Sequence, residues 1–185
     1  IAPHSGLPRH PHRDMEIITY VRKGAITHED TLGNRGRTEA GDVQVMSAGT
    51  GIAHSEMNLE DETTQIFQIW IMPTETGLPP AWGTRPFPKG NRSGAFVTLA
   101  SGFAEDTKAL TIRTNARLAA ATLQAGRSGE YAIVKGRKVY LVPATGKIMV
   151  NGVVASAGDG VAICDEERLE VTASEDSEIV LVDVA

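Results

Sequence analysis

Cysteine is almost absent: Cys164 is the only one in 185 residues, so no disulfide can close within the chain. That suits a reducing compartment. Long apolar runs are missing too, and no stretch is long enough to span a bilayer as a helix. The N-terminus has neither a basic n-region nor an apolar h-region, so no secretory signal is visible. A cytoplasmic protein with no membrane partner is expected. No Lys/Arg-rich run occurs, and 18 Lys+Arg against 23 Asp+Glu give a net charge of −5. Direct nucleic-acid binding is thereby disfavoured, while protein partners stay open. An initiator Met is also lacking. The chain opens at Ile1 and runs almost at once into a histidine pair.

What is present is a β pattern. Short apolar and β-branched runs alternate with Gly, Asn and Asp. Strands are expected at 15–21, 25–28, 42–46, 54–59 and 64–72. In the second half they are expected at 130–134, 138–142, 147–150, 153–156, 161–164, 169–173 and 178–184. Asn151-Gly152 between two apolar runs predicts a two-residue hairpin. Residues 109–123 fit either a short helix or two more strands. Pro79-Pro80, Pro86 and Pro88 mark residues 73–94 as a connection that interrupts regular sheet. The expected domains are therefore 1–72 and 95–185, joined by 73–94.

The two halves echo one another. Ala40-Gly41-Asp42-Val43 resembles Ala157-Gly158-Asp159-Gly160, each leading into an apolar strand. Continuing that frame maps His54 and Glu56 onto Val171 and Ala173. A second frame through Gly24 and Gly146 maps His10 and His12 onto Ala132 and Val134. The expectation is a duplicated β-barrel whose second copy lost a polar site and packs an apolar interior.

All five histidines fall within the first 54 residues. His10-Pro11-His12 and His54-Ser55-Glu56 each place two ligating side chains two apart, hence on one face of a strand. A His-x-His pair alone often marks only a polar face. The second pair, reached through Gly49-Thr50-Gly51, lets two distant strands converge. Three imidazoles and a carboxylate suit a divalent transition metal with open positions. Spacing alone does not decide the carboxylate, since Glu16 shares the parity of His10 and His12. His4, in a Pro/Gly/Ser context, and His28, ahead of Glu29-Asp30, are expected at the surface. Phe67 and Trp70 are expected in the core. Met15, Met46 and Met57 fit either pocket lining or barrel filling.

These stretches resemble a known family. His10-Pro11-His12-Arg13-Asp14-Met15-Glu16, Glu29-Asp30-Thr31-Leu32-Gly33-Asn34, Met46-Ser47-Ala48-Gly49-Thr50-Gly51-Ile52-Ala53-His54-Ser55-Glu56 and Gln68-Ile69-Trp70-Ile71-Met72-Pro73 are similar to the cupin superfamily, and more closely to the pirin family of bicupins. The second half matches through Val150-Asn151-Gly152 and Asp159-Gly160-Val161-Ala162-Ile163. The resemblance implies an all-β double cupin, two jelly rolls in tandem. The first strands of the family pattern, ahead of His-x-His, are missing from this chain, which reads as a trimmed or incomplete start. It also implies His10, His12, His54 and Glu56 as metal ligands, with Glu16 outside the first shell of ligands.

Fe(II) is the implied metal, with Mn, Co, Ni, Cu or Zn as alternatives. The implied activity is that of a quercetin 2,3-dioxygenase, acting on a flavonol and O2 with Glu56 as base. The alternative is an iron-containing, redox-sensing regulator that binds a protein partner. A monomer is expected. Cys164 stands where relatives often carry an aromatic residue, and a buried, inert thiol is expected there.

Overall fold

The computed structural model describes residues 1–87 and 93–185. Every regular element among them is a β-strand. In chain order these are β1 (Ser5–His12), β2 (Glu16–Lys23), β3 (Ala25–Asp30), β4 (Arg35–Glu39), β5 (Val43–Ser47), β6 (Ile52–Asn58), β7 (Gln65–Ile71), β8 (Ala81–Arg85) and β9 (Val97–Ser101). Then come β10 (Leu110–Thr111), β11 (Ala116–Leu123), β12 (Ser128–Ala132), β13 (Lys138–Thr145), β14 (Lys147–Val150), β15 (Val153–Ser156), β16 (Val161–Ile163), β17 (Arg168–Ala173) and β18 (Ser177–Val184). The strands form two compact units. The first is Ile1–Phe87 with Leu110–Thr114; the second is Pro88–Ala109 with Asn115–Ala185.

The first unit has two four-stranded antiparallel sheets, ordered β1-β6-β3-β4 and β7-β2-β5-β8. The alternation in β6 shows why the chain folds this way. Ile52, His54, Glu56 and Asn58 are buried, while Ala53, Ser55 and Met57 are only partly so. An apolar cluster of Ile17, Met46, Ala48 and Ile52 draws β2, β5 and β6 together, with Met15 and Trp82 packed on it. Its burial supplies the hydrophobic driving force. Gly24, at φ 74°, turns β2 into β3; a Cβ there would lie 2.6 Å from Thr64 Oγ1.

In the second unit β9-β11-β18-β13-β16 lie side by side, and β12-β17-β14-β15 form the other sheet. The interior is apolar, built from Leu141, Ile148, Leu169, Val171, Ile179 and Leu181 among others. Asn151 and Gly152, at φ 45° and 86°, make the expected hairpin turn between β14 and β15.

The units repeat one topology. β12-β17-β14-β15 follows the order of β1-β6-β3-β4, and β18-β13-β16 follows β7-β2-β5. Register then corrects the mapping expected from the Gly-Asp turns. His28 pairs with Glu56, and Val150 pairs with Val171, each four residues after an equivalent glycine, Gly24 or Gly146. Glu56 therefore corresponds to Val171 and His54 to Leu169. The second copy is two residues shorter between its Gly-Asp turn and β17. The apolar replacement itself stands, since Val150, Leu169 and Val171 are all buried.

Two further expectations change, and one open choice is settled. Residues 73–94 do include sheet: β8 lies between Pro80 and Pro86 and pairs with β5 at the sheet edge, where flanking prolines cost no ladder bonds. The part of that connection at residues 88–92 lies outside the described residues. Residues 109–123 hold strands β10 and β11 and no helix. Cys164 is exposed, because β16 turns Ile163 inward and the next residue outward.

Candidate metal centre

β1 and β6 pair antiparallel with His10 opposite His54 and His12 opposite Ile52. The register shifts between Leu7 and His10, so that Leu7 lies opposite Glu56. This pairing gathers three imidazoles. One ligating nitrogen from each of His10, His12 and His54 lies within 4.8 Å of the others. Nε2 of His54 stands 3.2 Å from Nε2 of His10. His10 Nδ1 donates to the Pro8 carbonyl at 2.7 Å, which leaves His10 Nε2 as an unprotonated ligating atom in the neutral ring.

Burial grades the cluster. His54 is 1% exposed, while His10 and His12 are half-buried. Burial first, then the neighbouring His28, His10 and His12, pushes the His54 imidazole down to about 3. Burial and the His10 ring lower His12 as well. The neutral His54 ring, with one nitrogen free to bind a cation, is thus favoured near neutral pH. A surface depression of about 420 Å³ is bordered by Pro11, His12, Arg13, Thr31 and Gly51; of the three clustered histidines only His12 lines it.

Glu56 shares the inward face of β6 with His54 and is fully buried. Its carboxylate is not one of the three groups that converge within 4.8 Å. It is held from the opposite sheet. Thr19 Oγ1 donates to Oε1 at 3.0 Å, Gln44 Nε2 donates to Oε1 at 2.6 Å, and Gln68 Nε2 donates to Oε2 at 2.6 Å. Thr38 extends this network by donating to Gln44 Oε1 and meeting Thr84 Oγ1. The interior beside the histidines is therefore polar and hydrogen-bonded. Thr19, Gln44 and Gln68 carry a legible signal: each is a single polar residue inside an apolar strand run.

Glu16 is buried as well but stands apart from the histidines. It accepts from Ser47 Oγ at 2.7 Å and from the Arg113 backbone N–H at 3.1 Å. Asp14, at φ 46°, breaks the chain between β1 and β2 and resets the strand parity. Glu16 therefore projects from the face of β2 opposite Thr19. Burial raises its carboxyl above the usual range, partly offset by those hydrogen bonds.

His28, expected at the surface, is fully buried. Its ring stacks on Trp82, with centroids 4.7 Å apart and planes 10° apart. Its nitrogens meet Asp30 Oδ2 at 3.0 Å and His54 Nδ1 at 3.3 Å. His4 is exposed, as expected, against Asp61. Trp70, expected in the core, is 53% exposed. It follows Gln68 by two residues on β7 and so leans toward His12, whose ring it meets edge-on at 5.0 Å. Phe67 is half-buried beneath the Arg22 guanidinium.

Comparison with known proteins agrees with this layout. Residues 1–71 match the Pirin family, and residues 98–184 match the family described as the Quercetinase C-terminal cupin domain. A pirin-like protein of Caulobacter vibrioides is 64% identical over 185 residues, covering 100% of this chain and 80% of that protein. A quercetin 2,3-dioxygenase of Escherichia coli is 38% identical over 180 residues, covering 97% of this chain and 76% of that protein. The crystal structure of the Escherichia coli bacterial pirin YhhW in complex with nickel(II) superposes with a TM-score of 0.90 at 38% identity, covering 100% of this chain and 78% of that one. The all-β double-cupin architecture is thereby borne out. Among the described residues no helix is long and apolar enough to cross a membrane.

Proposed function

This chain belongs to the pirin family, and on that premise we propose that it holds one divalent metal, iron(II) foremost, and cleaves a flavonol such as quercetin with O2. The ligands in this reading are His10, His12, His54 and Glu56. The observation that carries it is the 3.2 Å approach of the His10 and His54 Nε2 atoms. Adjacent ligands about 2.1 Å from one ion would be separated by roughly 3.0–3.4 Å. Imidazole and carboxylate donors suit iron, nickel, cobalt, manganese, copper or zinc. Glu56, on the same buried face of β6 as His54, supplies the acidic donor.

When bound, the metal would supply Lewis acidity toward the flavonol oxygens and a place for O2. The chain's own groups do the rest. Glu56 takes the proton of the flavonol 3-hydroxyl, and its carboxylate is aimed for that task by Thr19, Gln44 and Gln68. His12 borders the surface depression and Trp70 meets its ring edge-on; the two offer ring surfaces to a flat aromatic substrate. Flavonol and O2 are converted to a depside and carbon monoxide, so no other reductant is consumed.

The test is anaerobic loading with iron(II), followed by quercetin and air. Depside and carbon monoxide in equal amounts are expected. A fully metallated protein that yields neither contradicts the dioxygenase reading.

A further inference from the structure

We propose that Asp30, acting through His28, fixes the proton of His54 on Nδ1 and so presents the Nε2 lone pair to the metal; this rests on the metal reading above. Asp30, His28 and His54 form a buried chain. The side chains of Asp30 and His28 are 0% exposed. Asp30 lies at the end of β3 and is anchored in the turn that follows. Its Oδ1 accepts from the backbone N–H groups of Leu32 and Asn34 at 2.9 and 3.0 Å, and its Oδ2 accepts from Asn34 Nδ2 at 2.9 Å. The carboxylate therefore cannot swing away without abandoning the turn.

With His28 neutral, the chain has one consistent pattern of donors. A carboxylate only accepts, so the 3.0 Å contact with Asp30 Oδ2 puts the His28 proton on Nε2. The other nitrogen of that ring, Nδ1, then accepts. It faces His54 Nδ1 at 3.3 Å, so the His54 proton sits on Nδ1. His54 Nε2 is left with its lone pair, 3.2 Å from the His10 Nε2 lone pair. The latter is fixed independently by the Pro8 carbonyl. Two lone pairs aimed at one place repel unless a cation lies between them.

The opposite tautomer of His54 would donate its Nε2 proton to His10 and occupy both ligating atoms. It would also force a neutral His28 to turn a lone pair on the Asp30 carboxylate. Asp30 and His28 thus act as positioning residues of the kind that orient a ligating imidazole through its second nitrogen. The His28 ring plane is set by its stack on Trp82. Gly36, opposite His28 on β4, makes room for that indole, since a Cβ there would lie 2.3 Å from the Trp82 ring.

The test is histidine-ring 15N–1H correlation on the wild-type protein, without metal and with zinc. A proton on His54 Nδ1, slow to exchange in both states, is expected. A proton on His54 Nε2 in both states would overturn the proposal, whatever zinc does. A protein that keeps the Nδ1 proton but takes up no zinc would instead refute the metal reading and leave the chain of three intact. Zinc titration of His28→Leu should show an affinity loss of about 10–100-fold. His28→Gln, whose side-chain oxygen can accept the same proton, should recover most of it. Wild-type zinc affinity in a folded His28→Leu would contradict the proposal, and the wild-type spectra decide the matter if that variant does not fold.

Discussion

Gln68 donates its side-chain amide to Glu56 at 2.6 Å, joining β7 of one sheet to β6 of the other across the interior of the first unit. Gln44 does the same from β5, also at 2.6 Å. Both amides serve one fully buried carboxylate. Gln44→Leu removes a donor to a buried charged-type acceptor. It should cost about 1.5–3 kcal/mol of stability. Urea unfolding of wild type and variant measures this. Equal midpoints would mean that the amide holds nothing in place.

Glu16 and Glu56 make opposite predictions. Glu16 is tied to Ser47 and to the Arg113 backbone, apart from the three histidines. Glu16→Gln should leave metal stoichiometry unchanged, with a stability change of about 1–3 kcal/mol read from unfolding. Glu56→Ala should weaken metal binding and abolish flavonol cleavage. Metal titration of the two variants separates the roles. Loss of metal in Glu16→Gln would reverse the assignment.

The sequence announced the cluster of three histidines well and its surroundings poorly. His10-x-His12 and His54-x-Glu56 are legible because strand side chains alternate with period two, and β1 and β6 obey that rule locally. Glu16 misleads because the same rule fails across Asp14, where a positive φ resets the parity. His28 sits in a polar tripeptide, His28-Glu29-Asp30, that reads as surface. Its burial depends on Trp82, more than 50 residues away, and on the small Gly36 beside it. No local pattern announces that contact. The repeat was visible in its glycines, yet its frame slipped by two residues because the second copy has a shorter loop-and-strand segment.

In the second unit Asp106 gives a pH-dependent contribution. Burial alone would raise its carboxyl, but the Ser101 hydroxyl at 2.6 Å and the Arg117 guanidinium at 2.6 Å outweigh burial and hold it below its ordinary value of 3.8. A depressed carboxylate stabilises the fold above its unfolded value and loses that contribution as pH falls through the folded value. Asp106→Asn should therefore unfold at a lower temperature than wild type near pH 7. The gap should narrow as pH falls below about 3.8. A gap that is constant from pH 7 to pH 2.5 would contradict this.

The apolar core of the second unit predicts a different sensitivity. Leu169 is fully buried at the position that corresponds to His54. Leu169→Ala should cost about 2–5 kcal/mol through lost burial and the cavity left behind. Thermal unfolding reports it, and metal uptake by the first unit should be unaffected. A variant as stable as wild type would show that this interior is loosely packed.

Metal content per chain in wild type and in His54→Ala, both purified without chelators or nickel resin, tests the central claim most directly. One equivalent of transition metal, chiefly iron, is predicted for wild type, and near zero for the variant. Full occupancy in His54→Ala, or none in folded wild type supplied with iron(II), would contradict a centre built on His10, His12 and His54.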